Sequence, residues 1–201
     1  MPLKVNPNRM ELLRLKRRLS VAQRGHKLLE DKLEGLIQKF MEEIKNYKEL
    51  REEVSEKFLN FLSIGSFTYF RIPDYIWNDL ILINDGKTIL KEKIIKEMNI
   101  SIPLVKIVNI YTPIYNLKDT PQSLDELVLQ WEELLEGLIN LLNKEREILA
   151  LSEEIEKTKR RVNALEYKLI PQIEETVKYI TSKLEELERG NFIRLLRLKE
   201  S

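Results

Sequence analysis

The chain contains no cysteine. That excludes a disulfide framework and thiolate chemistry, and it fits a reducing compartment. It has a single histidine, His26. A catalytic or metal-binding histidine needs further His, Cys or carboxylate groups at ligand spacing, and none accompany it. Glycine and proline are scarce, six and seven in 201 residues, and no glycine-rich phosphate loop occurs. No apolar run approaches the roughly 18 residues that span a bilayer. The opening MPLKVNPNRMELLRLKRRL lacks the apolar core and small-residue cleavage site of a secretion signal. Its arginines suit a transit peptide, but its heptad register continues into the helix that follows, so a structural reading is preferred. An excess of one charge is also missing. The net charge is +1, so no bulk attraction to a polyelectrolyte follows.

What remains is charge of both signs, 33% of residues, on a chain with few helix breakers. That composition suits long solvated helices. In Lys157–Leu187 a recurring set of apolar residues is Val162, Leu165, Leu169, Ile173, Val177, Ile180, Leu184 and Leu187. Steps of three or four place them in one narrow helical stripe, sized for a single partner helix. Pro171 interrupts it. A proline in a helix interior costs roughly 3 kcal/mol. The steps around it are all four residues, which predicts a local change of winding that resets the stripe. Pro171 is either a bend used mechanically or a tolerated kink.

The N-terminal segment supplies a matching pattern. Asn8 is an N-cap candidate, with Glu11 placed for a capping box. Every seventh residue from Leu12 is Leu12, Leu19, His26, Leu33, Phe40, Tyr47, Val54 and Phe61, and Leu15, Ala22, Leu29, Leu36 and Leu50 fill the second seam position. The helix is expected to end near Leu62. His26 reads as a seam residue at a close helix approach, with Gly25 and Ala22 small enough to permit it. Asn163 and Glu166 either pair across the seam and set register, or face solvent.

Residues 64–122 differ. They hold most of the prolines and many isoleucines and aromatics. Asp74–Ile83 reads as a short helix capped by Asp74. Residues 88–95 and 100–110 read as two strands joined near 96–99, the second kept to an edge by Pro103. Phe67, Tyr69, Phe70, Tyr75 and Trp77 form either a small core or a docking surface. Ser123, with Glu126 in capping-box position, is expected to start the last helix.

The expected fold is all-α dominated. Helices from 1–63 and 123–201 form a long antiparallel coiled coil, and a small central module, 64–122, carries the short helix and a β-hairpin. Antiparallel pairing brings together two basic segments, with Arg14, Arg17, Arg18 and Arg24 on one and Arg194 and Arg197 on the other. The acidic residues, Glu43 and Glu133 among them, gather at the opposite end. A basic tip needs an acidic or polar partner and binds it in a salt-sensitive way. The carboxylates at 153–156 and 174–175 read as solvated helix faces.

NPNRMELLRLKRRLSVAQRGHKLLEDKLEGL (6–36), EEIEKTKRRVNALEYKLIPQIEETVKYI (153–180) and the YNLKDTPQSLDELV segment before the second helix resemble the D subunit of vacuolar/archaeal-type rotary ATPases. The order, spacing and length fit as well; 64–115 carries no residue-by-residue likeness. The resemblance implies a non-catalytic central rotor shaft. Its paired terminal helices would enter a hexamer of catalytic (A) and nucleotide-binding (B) subunits. Its lower part would bind the small F subunit, and its far end the ring-capping C or d subunit. It would take no cofactor or metal, insert in no membrane, and sit in the cytoplasm, peripheral to the membrane.

The arginines at 14, 17, 18, 24, 194 and 197 would then face the inner collar of the hexamer. The expected seam comprises Leu12, Leu19, His26, Leu33 and Phe40 against Val162, Leu165, Leu169, Ile173, Ile180 and Leu184. Two other functions fit two long helices. A prefoldin-like holdase requires apolar tips, which the arginines oppose. A nucleic-acid-binding helical arm could use KRR at 16–18 and 159–161, but those runs lack interleaved aromatics for base stacking.

Overall fold

The computed structural model describes residues 6–83, 86–97, 100–116, 118 and 120–200, apart from the side chains of residues 79, 83 and 197–200. In order the elements are α1 (Arg9–Arg71), α2 (Asp74–Ile83), β1 (Ile89–Glu97), β2 (Ile100–Asn109), α3 (Gln122–Ala164), a π-helical turn (Leu165–Leu169) and α4 (Ile170–Glu200). Helix dominates, and the strands form a two-stranded sheet. The chain divides into a terminal unit, Met1–Ile37 with Ile155–Ser201, and a central unit, Gln38–Glu154.

In the terminal unit α1 opens at its expected cap. The Asn8 carboxamide oxygen accepts the Glu11 N–H at 2.7 Å. The Glu11 carboxylate does not complete the box; it lies 3.8 Å from Arg14. The two helical segments run antiparallel, because Arg9 pairs with Glu188 while His26 faces Glu166. Leu15, Ile173 and Ile180 form the buried cluster, with Leu12, Leu19, Leu169, Val177 and Leu184 against it. Burying each such side chain contributes about 1.5–3 kcal/mol. A helix pair of this kind is held by that seam rather than by intrinsic propensity. Leu187 belongs to the sequence stripe but is 56% exposed. The reason is register: Glu188 already pairs with Arg9, where α1 begins.

The expected change of winding is a π turn. The Ile170 N–H donates to the Leu165 carbonyl, five residues back. Pro171 has no N–H to donate, and in a regular α-helix its ring would press on the carbonyl four residues back. The wider turn removes that conflict and absorbs one extra residue.

In the central unit α1 runs on to Arg71, past the expected end at Leu62. The Ser-Ile-Gly-Ser segment at 63–66 does not break it. Ser66 Oγ donates to the Ser63 carbonyl at 2.9 Å, and Gly65 packs beside Leu127. Pro73 ends the helix instead, since the residue before a proline is pushed out of helical conformation. α2 then begins at Asp74, as expected. Ile72, Ile76 and Leu124 close this end, with Trp77, Leu80, Tyr115 and Leu127 around them.

α3 returns along α1, with Trp131 5.8 Å from Phe61 and Gly137 beside Val54. Ser123 is not its cap. The helix starts one residue earlier, at Gln122, and Ser123 Oγ is buried without a hydrogen-bond partner. Pro121 occupies the cap position, and its carbonyl accepts the Leu124 N–H at 2.9 Å.

The two strands pair antiparallel, with Ile94 opposite Pro103 and Glu97 opposite Ile100. Their expected junction lies partly at residues 98–99, outside the described residues. In a two-stranded sheet each strand is an edge, so β2 can hold Pro103 without losing a bond to a third strand. The outer edge of β2 is met by α3: Asn143 accepts the Val105 N–H at 2.7 Å and donates to the Val105 carbonyl at 2.8 Å. Arg146 donates to the Pro103 carbonyl at 3.2 Å and pairs with Glu92 at 3.0 Å. Asn143 stands 19 residues along α3 from Leu124, about 28 Å of helix. The hairpin therefore folds back along the central unit instead of extending its closed end.

Candidate functional site

Every expected seam residue of the terminal unit is at least partly covered. Val162, Ile173 and Ile180 are buried; Leu12, Leu19, His26, Leu33, Leu165, Leu169 and Leu184 are half-buried. Phe40 falls in the central unit and is half-buried there. The alternate heptad position is the deeper one on α1, where Leu15, Ala22 and Leu36 are buried.

His26 is the polar member of this seam. Its Nδ1 lies 3.2 Å from Glu30 and its Nε2 3.9 Å from Glu166, on the facing helix. Glu166 and Asn163 are both exposed, but the Glu166 carboxylate faces His26 of α1 across the seam. Gly25 does not serve a close helix approach. A Cβ built there meets nothing within 4 Å. Ala22, 8% exposed, is the small residue that packing uses. Among the described residues no group of three or more His, Cys, Asp or Glu is placed to hold a metal ion.

The outer surface carries the arginines. Arg14, Arg17, Arg18 and Arg24 on α1 are exposed, and so is Arg194 on α4. Arg14 Nη1 lies 3.8 Å from Glu11, and Arg24 Nε donates to the Ser20 carbonyl of its own helix at 3.4 Å. Arg17, Arg18 and Arg194 project without a carboxylate partner among the described residues. Arg194 stands six residues past Glu188, so it extends about 9 Å along α4 beyond the start of α1. The side chain of Arg197 lies outside the described residues. Phe192, Ile193 and Leu195 are exposed beside Arg194, at 63%, 51% and 66%. The C-terminal end is thus mixed apolar and basic, where the sequence reading stressed only its charge.

The central unit holds a network that sequence reading missed. Glu43, read as part of a solvated acidic end, is 9% exposed and accepts a hydrogen bond from Lys144 at 2.6 Å. Lys144 also reaches Glu147 at 3.1 Å, and Lys39 bridges Glu147 and Glu97. Burial opposes the charged Lys144 ammonium, but its hydrogen bonds to Glu43 and Glu147 outweigh that and raise its pKa. The only sequence signal was that Lys39 and Glu43 sit beside the seam position Phe40. At the closed end Tyr115 donates to Asp125 at 2.6 Å. Burial first, and that bond second, push its pKa to about 12. Of the five aromatics in question, Phe67, Tyr69, Phe70 and Tyr75 are exposed, while Trp77 packs on the core. Arg71 stacks over Phe67 at 4.2 Å.

A family model for the D subunit of ATP synthase matches residues 11–200. The chain belongs to the ATP synthase D-subunit family. Full-length relatives agree. The V-type ATP synthase D subunit of Clostridium novyi (strain NT) is 40% identical over 205 residues, covering 98% of this chain and 94% of the relative. That of Thermoanaerobacter sp. (strain X514) is 37% identical over 201 residues, covering 98% and 95%. The A-type ATP synthase D subunit of Thermococcus sibiricus (strain DSM 12597 / MM 739) is 39% identical over 209 residues, covering 98% and 94%. The family match also runs through residues 64–115, where the sequence carries no recognisable motif. No helix among the described residues is long and apolar enough to cross a membrane.

Proposed function

We propose that this chain is the central rotor shaft of a V/A-type ATP synthase or ATPase, carrying torque between ATP turnover in a catalytic hexamer and ion movement through a membrane ring. Membership of the D-subunit family carries this reading. The geometry supports it. Two antiparallel helices sharing one apolar seam resist relative sliding, and their outward faces remain charged and exposed. Such a body presents a different face to each surrounding catalytic subunit. Each face favours one conformation of its neighbour, so shaft angle and nucleotide state are coupled through differential contact.

In the finer reading, the terminal unit enters the hexamer of A and B subunits, and Arg14, Arg17, Arg18, Arg24, Arg194 and Arg197 meet its collar through polar contacts. The small F subunit and the ring-capping C or d subunit bind elsewhere on the chain. The shaft performs no chemistry on nucleotide and needs no cofactor. It sits peripheral to the membrane on the cytoplasmic side. The holdase and nucleic-acid-arm readings are not favoured, because the full-length relatives are ATP synthase subunits.

Co-purification from native membranes tests the assignment. The chain should be recovered with an ATPase hexamer and a small rotor subunit. Reversing Arg14, Arg17 and Arg18 to Glu should weaken assembly or uncouple hydrolysis from pumping. Undiminished ATP-driven ion pumping by that variant would refute the collar contact.

A further inference from the structure

Within the central unit, the hairpin is held differently from the helices. All nine residues of β1 are exposed. On β2 only Ile100 and Ile102 are buried, both near its first end. A two-stranded hairpin is marginal by itself in water, so outside contacts fix it. Asn143, Arg146 and Glu147 stand at i, i+3 and i+4, on one face of α3. Asn143 bonds both backbone groups of Val105, and Arg146 bonds Glu92 and the Pro103 carbonyl. Lys39 of α1 pairs with Glu97 and lies 3.8 Å from Glu147.

The two sides of this clasp are unequal. On the hairpin, the Glu92 and Glu97 side chains are half or more exposed, so they return to water at little cost. On the helices, the Glu43 and Glu147 side chains are only 12% and 13% exposed, where losing a partner is costly. Neither loses its partner if the hairpin leaves. Lys144 holds Glu43 at 2.6 Å and Glu147 at 3.1 Å, and Lys39 keeps Glu147. The helices thus carry a closed charge network to which the hairpin is an added member. The base of the hairpin is also drawn together. Residues 86–88 and 110–116 carry no helix or strand. There the Tyr111 N–H donates to Thr88 Oγ1 at 3.3 Å, and a Cβ at Gly86 would fall 1.7 Å from the Tyr111 ring.

We propose that the hairpin is a charge-gated strap. When the Glu92 and Glu97 contacts are screened or lost, it leaves α3 as one body, turning about 86–88 and 110–116. The helices of the central unit stay folded, and the outer edge of β2 at Val105 becomes accessible. Ile100, Ile102 and the Asn143 bonds return it to the closed state.

Amide exchange of the full chain tests this, because the Val105 N–H is bonded to Asn143. Raising salt from about 0.05 M to about 0.5 M should speed Val105 exchange about five-fold, and the amides of 43–62 and 127–150 less than two-fold. The double variant Glu92→Gln, Glu97→Gln should show the high-salt rate at low salt and lose the salt response. The chain has no cysteine, so Lys39→Cys with Glu97→Cys can be joined by a bismaleimide. That link should hold Val105 exchange at the low-salt rate at every salt concentration. Acceleration of hairpin and helix amides together would overturn the strap, since the unit would then open as a whole. So would a Val105 rate indifferent to both salt and the double variant. If the double variant does not fold, the salt response of the wild-type chain decides alone. None of these results touches the rotor reading, which stands on family membership and is tested by co-purification.

Discussion

Gly25 and Gly137 both lie in helix interiors, yet they answer to different forces. A methyl group at Gly25 meets open space, while one at Gly137 comes 3.1 Å from Val54 Cγ2. Gly25→Ala should therefore gain the usual helix-propensity difference of about 1 kcal/mol, read as a higher denaturation midpoint. Gly137→Ala should gain less or lose stability, because Val54 is buried and has little room to move. Tyr115 gives a pH-dependent counterpart. Its pKa is raised from 10.0 to about 12, so the folded state holds the phenolic proton more tightly than the unfolded chain does. That stabilisation is complete below pH 10 and disappears as pH rises from about 10 to 12. Tyr115→Phe should cost about 1 kcal/mol at pH 8. Denaturant titrations across pH 8–12 should show a shallower alkaline decline than wild type. These residues also mark the limit of sequence reading. Gly25 next to His26 looked like a contact glycine, and only the register of the opposing helix shows the space beside it. Glu43 looked solvated, because the lysine that covers it is a hundred positions away.

At the scale of elements, the π turn is the feature most plainly written in the residues. An uninterrupted seam alternates steps of three and four. From Leu165 to Val177 the steps are four, four and four, one residue too many for an α-helix to keep both halves on one partner. The turn takes up that residue, so Leu169, Ile173, Val177 and Ile180 all pack in one cluster with Leu12, Leu15 and Leu19 of α1. Deleting Pro171, an exposed position, turns the steps from Leu165 to Val177 into four, three and four and should restore regular alternation. Thermal unfolding should then fall within about 1 kcal/mol of wild type. Deleting Lys178 alone, within the regular part, should rotate the following stripe off its partner and cost about 2–5 kcal/mol, the price of uncovering a buried aliphatic side chain. Both long helices, α2 and the hairpin were legible for the same reason, since their periods and prolines are local signals. The helix end at Arg71 and the start at Gln122 were less so. The first depended on Leu127 packing beside Gly65, and the second on Pro121 taking a role usually filled by serine.

At the scale of the whole molecule, each unit has its own buried residues: Leu36, Ile173 and Ile180 in one, Val54, Leu134 and Leu151 in the other. Ile173→Ala should therefore raise native-state amide exchange chiefly within 6–37 and 155–200, and much less within 38–154. Uniform acceleration throughout would mean that the chain opens as a single cooperative body. Function was legible at this scale only through long motifs. Neither the charges nor the periodicity distinguishes a rotor from another helical hairpin. The candidate surface was legible as a set of arginines, but not the exposed apolar residues beside Arg194.

Asn143 offers its amide to Val105 much as a peptide group would, so a helix stands in for a missing third strand. Among the described residues only the rim of β1 is then left for backbone recruitment, and it carries Lys91, Lys93 and Lys96 alongside Glu92 and Glu97. The chain thus carries a sheet whose open rim is guarded by charge. Its resistance to fibril growth should depend on the charge of three lysines.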